Sequence, residues 1–561
     1  APVKMWTDNW TNWDPQNAAY PATTVNVSGN ISANTTWTSN NVYLLQGIVY
    51  IDSLVTLTIE PGTIIRGDFN TANSSLLVRR GAKLNAEGTQ CNPIVFTSNR
   101  NVGERAPGDW GGIIVLGRAR HNLGTNNLIE GLSAANVAHY HGGTNDNDNS
   151  GVIKYVRIEY GGFVFSANNE INGLTMGSVG RGTVVDYVQS SFVNDDAFEW
   201  FGGTVNCKHL VAYRVIDDNF DTDNGFSGTV QYALGIKDPA LADVSTSEGF
   251  ESDNDNPGTA ENRYPKTSAT FYNVTEIGAY RCTTPAPVVN SLHNRGARLR
   301  RNTDLKIYNS IFMNFRNGLF VDGTLAVNNA NQDSLVFRNN LIAADYTTYP
   351  THLAAENAAT RTILFNPAYS NDSLNSCSVL VNAYDFLNPD YRPNLAGAGS
   401  ILTSNLQQGP DLTPVVEVDN ALFPPTAASD FIVNVIENGT GTTNGIITVS
   451  IPKISGWDIT VPGLTLSGTN QSGTNGTSNV NGGTPTNNGD WFFRDNGTTI
   501  IATSKAGIVI PKGNASVIGF VATRKAATSS GTNQNLGVTV NGGGDTTPAN
   551  NGASVGLSTS N

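Results

Sequence analysis

The sequence predicts an all-β protein in which a parallel β-helix, a solenoid of stacked coils, precedes an antiparallel β-sandwich. Of its 561 residues, 58 are Gly and 24 are Pro, and only 14% are charged against a usual share of about a quarter. Gly, Asn, Ser and Thr favour turns over long helices. From about residue 42, short runs of alternating apolar residues recur between such turns, which is typical of half-buried strands.

The charge of the chain excludes some partners. Asp and Glu total 46 against 33 Lys and Arg, so the net charge of −13 disfavours binding to nucleic acid or to an anionic membrane surface. No run of about 18 apolar residues is present to span a bilayer. The sequence begins Ala-Pro-Val with no initiator Met, from which we expect that a signal peptide has been removed and that the protein is secreted.

The spacing of the strands indicates a solenoid. The segment 57–65 is matched nineteen positions later by the segment 77–84, so that Ile59 aligns with Val78. A unit of about twenty residues with three short strands suits one coil of a parallel β-helix, in which coils stack about 4.8 Å apart. One coil cannot bury its own apolar face, so the coils must repeat.

The strongest internal repeat is acidic. The segments 194–202 and 216–224 align at an offset of 22 residues, each with two Asp residues followed two positions later by Phe. An offset of one coil predicts that Phe198 stacks directly on Phe220 inside the solenoid.

The pattern changes near residue 390, where the alternating strands stop and Pro and Gly become frequent. About seven further strands with turns follow in roughly 140 residues, which suits an antiparallel β-sandwich. We therefore divide the chain into an N-terminal arm or cap (1–41), a parallel β-helix (42–408), a linker (409–416) and an immunoglobulin-like β-sandwich (417–561).

Several motifs carry a family resemblance. The segments 34–37, 42–45 and 57–63, the turn 108–112, the strand 155–162 and the acidic stretch 195–203 occur in order, and together they resemble a family of secreted bacterial surface proteins. That family is similar to the pectate-lyase-like right-handed β-helix proteins, and the members of the surface-protein family mostly lack an assigned activity. The resemblance covers roughly residues 5–400, and the second domain resembles immunoglobulin-like modules of bacterial adhesins and fibres.

The acidic repeat is also the main candidate for a site. Carboxylates on neighbouring coils repel by roughly 3.5 kcal/mol at an effective dielectric constant near 20. Calcium relieves such repulsion because it takes six to eight oxygen ligands in irregular geometry. The alternative is a set of solvated turn residues whose side chains cap strand ends. The candidate ligands, with Glu248 and Asp255 nearby, are Asp195, Asp196, Glu199, Asp217, Asp218, Asp221, Asp223, Glu251 and Asp253.

We expect a structural or adhesive surface protein that self-associates into a filament or layer, and not an enzyme. No complete catalytic constellation is evident, because Lys208, Arg214 and Lys237 are the nearest basic residues and none repeats with the acids. The cluster of Arg298, Arg300 and Arg301 could reach the same face several coils later. The rival hypotheses are a calcium-dependent polysaccharide lyase or hydrolase, which the paired carboxylates would serve, and a non-catalytic glycan-binding protein. A surface glycan is the possible partner in the last case.

Three further features complete the expectations. Trp6, Trp10 and Trp13 lie within eight residues, and we predict that they cover the open first coil, with docking on a second subunit and sugar stacking as alternatives. His139 and His141 share one strand face near Asp146 and Asp148 and form a weaker candidate for a transition-metal site. The four cysteines allow three disulfide pairings, or burial as free thiols.

Overall fold

The chain forms two compact units, residues 1–398 and 399–561, and each is described by itself. The structure is a computed structural model that describes residues 5–124, 127–129, 131–133, 135–166, 169–254, 262–283, 285–394, 412–437, 442–443, 445–511, 514–543, 545 and 551–561. Within these ranges the α-helices are Thr324–Asn331 and Ala358–Leu364, and the 3-10 helices are Val137–His139, Pro367–Tyr369, Val480–Gly482 and Asn488–Asp490. None of the described helices is both long and apolar enough to cross a membrane.

The first unit is a parallel β-helix, as the sequence predicts. One of its walls is a parallel sheet with one strand from each coil, which we call the front sheet. Its strands among the described residues are Asn30–Ile31, Ile48–Ile51, Ser75–Val78, Gly112–Leu116, Leu174–Gly177, Phe198–Phe201, Phe220–Asp223, Phe250–Ser252, Arg295–Leu299, Asn317–Val321 and Leu353–Ala355.

The other walls form one continuous sheet that bends between them. In the middle coils a single long strand passes through the bend at a residue with left-handed backbone, such as Tyr155, Tyr187 or His209 (φ 50°, 55° and 51°). The strands of this bent sheet are Val25–Val27, Thr35–Trp37, Val42–Leu45, Thr56–Ile59, Ile64–Gly67, Lys83–Glu87, Ile94–Ser98, Gly151–Glu159, Val184–Ser191, Asn206–Tyr213, Thr229–Ile236, Thr270–Ile277, Lys306–Tyr308, Ile311–Met313, Val336–Arg338, Leu341–Ala344 and Asp372–Asn375. Short antiparallel pairs, namely Asn127–Leu128 with Tyr140–His141, Val164–Ser166 with Asn169–Glu170 and Leu380–Asn382 with Asp390–Pro393, lie outside the coils.

The acidic repeat has the predicted register. Phe198 pairs with Phe220, and Phe220 pairs with Phe250 on the next strand of the front sheet. The ring centroids are 5.8 Å and 5.1 Å apart, and all three rings are fully buried. The predicted aromatic stack in the core is therefore confirmed, and it extends one coil further than predicted.

The prediction that the segments 57–65 and 77–84 occupy equivalent positions on successive coils was wrong. Ile59 pairs with Ala86 in the bent sheet, 27 residues later, whereas Val78 lies in the front sheet. The two segments match because both contain a strand, a glycine turn and a second strand, and Gly62 and Gly81 both have φ of 81°. Such a corner recurs more than once in each coil, so matching corners do not mark matching coils.

The boundaries of the units also differ from the prediction. The solenoid begins at Val25–Val27, which pairs with Val42–Leu45, so residues 25–41 belong to the coils and not to an arm. Of the predicted linker 409–416, residues 409–411 lie outside the described residues, and 412–416 belong to the strand Leu412–Val418.

The second unit consists of two mainly antiparallel sheets that share one apolar core. Buried residues from both sheets, among them Phe431, Trp457, Trp491 and Phe520, form this core, which confirms the predicted sandwich. The described strands of one sheet are Leu412–Val418, Ala428–Glu437, Ala515–Arg524 and Trp457–Thr460. Those of the other are Leu422–Phe423, Gly552–Thr559, Asn533–Gly542, Ile447–Pro452, Thr499–Ser504, Trp491–Asp495 and Gln471–Ser472, with a separate hairpin of Gly476–Ser478 and Thr484–Thr486. Kinship with immunoglobulin-like modules stays a prediction.

The N-terminal tryptophans do not cover the first coil, and that prediction was wrong. Trp10 packs edge-on against Tyr155 and Tyr187, with ring centroids 6.1 Å and 5.7 Å away, and Trp6 lies 5.3 Å from the ring of His209. These partners stand at the bends of middle coils, where rings stack on the outside of the solenoid. The arm therefore lies along a flank, because that flank offers aromatic surface.

That flank also holds the third tryptophan, whose ring centroid is 5.2 Å from Tyr213, so Trp13 does not cover the first coil either.

Elsewhere in the same unit, Cys282 and Cys377 form a disulfide, while Cys207 is a buried free thiol and Cys91 an exposed one. The cysteines thus divide between the two roles that the sequence left open.

Candidate functional site

The site lies on the outer face of the front sheet. Glu199, Asp221, Glu251 and Arg298 pair directly on four successive strands, and we call them the strand row. Each follows the inward-facing residue of its strand, such as Phe198, and side chains alternate along a strand. The strand row therefore points away from the core.

A second row stands at the turn that precedes each of these strands. It consists of Asn172, Asp196, Asp218, Glu248 and Arg295, which we call the turn row. The backbone N–H of Asp196 donates to Asn172 Oδ1 (3.2 Å), that of Asp218 to Asp196 Oδ1 (2.8 Å), and that of Glu248 to Asp218 Oδ1 (2.6 Å). Each side chain thus holds the backbone of the next coil, as the capping alternative proposed.

Between the two rows the carboxylates come close together. One oxygen from each of Asp195, Asp196 and Asp217 lies within 4.8 Å of the others, and the same holds for Asp196, Glu199 and Asp221. Asp196 belongs to both sets, and we call these five residues the acidic group. The structure therefore brings together five of the nine predicted ligands, because the predicted offset of one coil holds.

The acidic group is shielded from water. Asp196 and Glu199 are buried, and Asp195, Asp217 and Asp221 are partly buried. Oδ1 of Asp217 and Oδ1 of Asp221 are buried oxygens without a hydrogen-bond partner. An orphaned buried carboxylate oxygen is costly, and a bound cation or a bound proton removes that cost.

The electrostatics of the group follow from burial and crowding. Burial, and then the neighbouring carboxylate of Asp195, raise the pKa of Asp196 and of Asp217 well above the usual range. Burial, and then Glu251, raise the pKa of Asp221 in the same way. Among the described residues none of these three aspartates forms an ion pair with a basic side chain. Perturbed carboxyl groups clustered on one surface are typical of a functional site.

Four of the nine predicted ligands stand outside the acidic group. Asp218 belongs to the turn row, and Asp223 lies one strand position beyond Thr222 without joining either set of three. Glu251 and Asp253 are held by arginines from the following coil. Asp255, which the sequence also placed near the site, lies outside the described residues.

Those arginines belong to the cluster that the sequence analysis placed on the same face several coils later, and they lie one coil beyond Glu251. Arg298 Nη1 lies 3.4 Å from Glu251, Arg300 Nε lies 2.7 Å from Asp253, and Arg300 also pairs with Glu251. Burial, and then Asp253, raise the pKa of Glu251 to about 7, although Arg300 and Arg298 act to lower it. Arg298, from that cluster, is therefore the basic residue that shares the strand row with the acids.

The histidine candidate does not form a metal site in this structure. His139 Nε2 is 2.9 Å from the Tyr50 hydroxyl, whereas His141 Nδ1 is 2.8 Å from Ser178 Oγ. Asp146 forms an ion pair with Arg120. The two histidines therefore have separate partners, and among the described residues neither belongs to a set of three metal-ligating groups.

The coils, the front sheet and the outward acidic rows define the first unit as a parallel β-helix with a charged face. A family model described as "Pectate-lyase like beta helix domain" matches residues 29–377. The chain belongs to this family, which confirms the predicted resemblance of the first unit. None of the curated proteins that were compared matches the chain.

Two of the solved structures that match the chain are tailspike proteins. Tailspike protein 2 of bacteriophage CBA120, described as an enzymatically active domain, is 12% identical with a TM-score of 0.25, covering 92% of this chain and 71% of that one. The Dettilon tailspike protein is 12% identical with a TM-score of 0.22, covering 89% and 87%. TM-scores of this size do not support an argument about this chain, whose function must follow from its own residues.

The expectation that the protein is not an enzyme was nevertheless wrong. The family to which the chain belongs is described by its likeness to pectate lyase, which is an enzyme. The expectation rested on the missing basic residues and on the absence of a complete constellation in the sequence. The structure supplies both a convergent acidic group and an arginine in register with it.

Proposed function

We propose that the protein is a polysaccharide-cleaving enzyme and that the acidic group is its active centre. Membership of the pectate-lyase-like family supports this class of activity. The observation that carries the proposal is the convergence of five carboxyl groups, two of which keep orphaned buried oxygens. Such crowding lowers stability and is expected where a ligand or a reaction requires it.

Asp195 and Asp217 form the acid and base pair in this proposal. They occupy equivalent positions on neighbouring coils, at the partly buried edge of the acidic group. Because burial and Asp195 raise the pKa of Asp217, the protonated Asp217 carboxyl can donate a proton to a glycosidic oxygen near neutral pH. Asp195, in its ionised form, then stabilises or attacks the sugar carbon, as in paired-carboxylate hydrolases.

The arginines favour hydrolysis over elimination. A lyase needs a base that removes a proton from the sugar ring. Burial lowers the pKa of Arg300, but Asp253 and Glu251 outweigh it and raise that pKa above the usual value. Arg300 therefore stays charged, and Arg298 is also committed to ion pairs with Glu251 and Asp322. Neither can act as the base.

A calcium ion fits the deeper half of the acidic group. Asp196, Glu199 and Asp221 would hold it, and the orphaned Asp221 Oδ1 is an oxygen that a cation would satisfy. Calcium takes six to eight oxygen ligands, so solvent or sugar hydroxyls would complete the shell. When bound, the ion supplies charge that neutralises the acids and attracts oxygen atoms of the substrate.

The test is cleavage of a panel of neutral and acidic polysaccharides, followed by the appearance of new reducing ends. The variant Asp217→Asn keeps the shape of the side chain but removes the proton donor. We expect its rate to fall by about 10²–10⁴-fold, the usual contribution of general acid catalysis. Asp52→Asn, which alters an ion-paired aspartate at another coil, is the matched control and should leave the rate unchanged.

Two outcomes would overturn the assignment. Cleavage of no polysaccharide in the presence of calcium would contradict the proposed activity. Products with unsaturated ends that absorb ultraviolet light would show elimination, and they would contradict the role given to Asp217.

We also propose that the protein acts outside the cell. The Cys282–Cys377 disulfide supports this location, because disulfides persist in oxidising compartments. Self-association and an adhesive role for the second unit stay predictions, which sedimentation of the purified protein would test.

A further inference from the structure

A polar residue stands in the interior of the solenoid directly behind the acidic group. We consider the residue that immediately precedes Phe198, Phe220, Phe250 and the equivalent residues of the front sheet. This residue is Gly or Ala in the neighbouring coils, but in one coil it is Asn219. Asn219 is fully buried. The row consists of Gly173, Ala197, Asn219, Gly249, Gly296 and Gly318.

A second polar residue faces it from the bent sheet. Glu276 is fully buried and occupies an inward row that is otherwise apolar or small. That row consists of Ile158, Ser190, Ala212, Gly235, Glu276, Phe312 and Ile342. A Cβ atom at Gly235 would lie 2.3 Å from both carboxyl oxygens of Glu276, so this glycine makes the space that the carboxyl group occupies.

The two side chains contact each other, but only half of their hydrogen-bonding capacity is used. Asn219 Nδ2 donates to Glu276 Oε2 at 2.6 Å. The other oxygen of each group, Glu276 Oε1 and Asn219 Oδ1, is buried without a partner. Two orphaned acceptors in a dry interior would cost several kcal/mol in all.

One proton satisfies both acceptors. A proton on Glu276 Oε1 turns that oxygen into a donor, and Asn219 Oδ1 is then the acceptor on the same pair of planar groups. We propose that Glu276 is a neutral carboxylic acid that closes a ring of two hydrogen bonds with the Asn219 amide, and that this pair positions the turn carrying Asp217 and Asp221. The second half of the proposal rests on the proposed function.

The charges around Glu276 agree with a neutral acid. Burial raises the pKa of Glu276 to about 8, although the Asn219 hydrogen bond and Lys237 act to lower it. Lys237 is itself fully buried, and its ammonium group donates to the carbonyl oxygen of Asp217. Among the described residues, Lys237 is the charged side chain whose field acts on Glu276, and its ammonium is already committed to that carbonyl.

The pair acts on the site through the backbone. Asn219 lies between Asp217 and Asp221 in the chain, so fixing its side chain fixes the path of the turn that presents both carboxyl groups. Lys237 fixes the same turn at the Asp217 carbonyl. Glu276 and Asn219 are thus positioning residues, which contact neither the substrate nor the cation.

The test compares Glu276→Gln with Glu276→Leu. The glutamine amide can both accept from Asn219 Nδ2 and donate to Asn219 Oδ1, so it preserves the ring without a titratable proton. Leucine cannot form the ring. Thermal melting across pH, the calcium-induced rise in Tm, and the infrared band of protonated carboxyl groups are the readouts.

We expect the Glu276→Gln protein to match the wild-type Tm at acidic pH, below the unfolded pKa of Glu276, and to keep the wild-type calcium response at neutral pH. Its infrared spectrum should lack one protonated carboxyl that the wild type shows. Because the folded pKa lies above the unfolded value, the wild type loses stability as pH rises through the interval up to about 8, and Glu276→Gln should lose less. Glu276→Leu should melt several degrees lower and respond more weakly to calcium.

The proposal is overturned if the pH dependence of melting is the same in Glu276→Gln and the wild type, or if the infrared difference is absent. If Glu276→Leu fails to fold, the glutamine variant still decides the question. If Glu276→Gln keeps its Tm but loses the calcium response, the ring stands and the positioning role fails. No readout uses a polysaccharide, so failure of the pair is distinguishable from failure of the proposed activity.

Discussion

Two neighbouring regions of the front sheet have the same geometry and opposite charge balance. We call the coils with residues 195–223 the lower coils, and in them acidic side chains lie next to acidic side chains of the neighbouring coil. Asp196, Asp217 and Asp221 form no ion pair among the described residues. In the upper coils, with Glu248 to Asp322, the same row positions pass from acid to arginine. One arginine per row is enough to turn a repulsive stack into a chain of ion pairs.

The comparison separates coils in which ion pairs stabilise the fold from coils whose acids serve the proposed function. The upper coils show that this fold can neutralise a stacked carboxylate with a basic residue one coil away. In the lower coils Asp196, Asp217 and Asp221 have no such basic partner within the part of the chain that the structure describes, at a cost in stability. We attribute this cost in stability to the proposed cation and the proposed reaction, both of which need those carboxyl groups.

The largest expected effect is the loss of an upper-coil arginine. Arg300→Ala removes one arginine from each of Glu251 and Asp253 and leaves Arg298 on the first and Arg301 on the second. The loss of these charged hydrogen bonds should cost about 2 kcal/mol. Chemical unfolding measures this loss. Arg392→Ala is the control, because its pair with Asp390 is more open to solvent and its loss should cost much less. Equal losses in the two variants would remove the distinction between the regions.

Replacing Asp by Asn should change the free energy of unfolding in opposite directions in the two regions. Without calcium, Asp221→Asn removes a crowded acid and should raise the free energy of unfolding by about 1 kcal/mol. Asp322→Asn removes a partner of Arg298 and should lower it by about 0.5 kcal/mol. Unfolding in a chelator gives both values, and a loss in both variants would contradict the account.

A smaller effect is expected from pH alone. Burial and crowding raise the pKa of the lower-coil acids, so the folded protein binds protons that the unfolded chain releases. Stability is therefore greatest below the unfolded pKa and falls as pH rises through the raised folded values. In a chelator, Tm should be higher at about pH 5 than at about pH 7.5, and Asp217→Asn should reduce the difference. A difference of the same size in that variant would show that other groups cause it.

The parts of the site that were predictable from the sequence lie close together in the chain. The acidic repeat shares two Asp residues and a Phe across 22 positions, so its register and the stack of Phe198 on Phe220 followed directly. Arg298 follows Glu251 by 47 residues across a long insertion. Nothing in a sequence fixes the length of such a loop, so the coil in which the arginine cluster meets the acids could not be predicted.

Other errors have the same physical origin. The nineteen-residue match joined two corners of one coil, because a glycine turn between strands is common to every corner. The aromatic arm was predicted at the open end, since three tryptophans indicate only that an apolar surface is covered and not which one. Glu276 and Asn219 were overlooked because each lies alone in an apolar row, 57 residues apart.

The most direct test of the central claim is a calorimetric titration of the purified protein with calcium. The account predicts saturable binding to the wild type, loss of that binding in Asp221→Asn, and unchanged binding in Asp322→Asn. Absence of binding to the wild type, or equal binding in Asp221→Asn, would contradict the claim that the acidic group of the lower coils holds a cation.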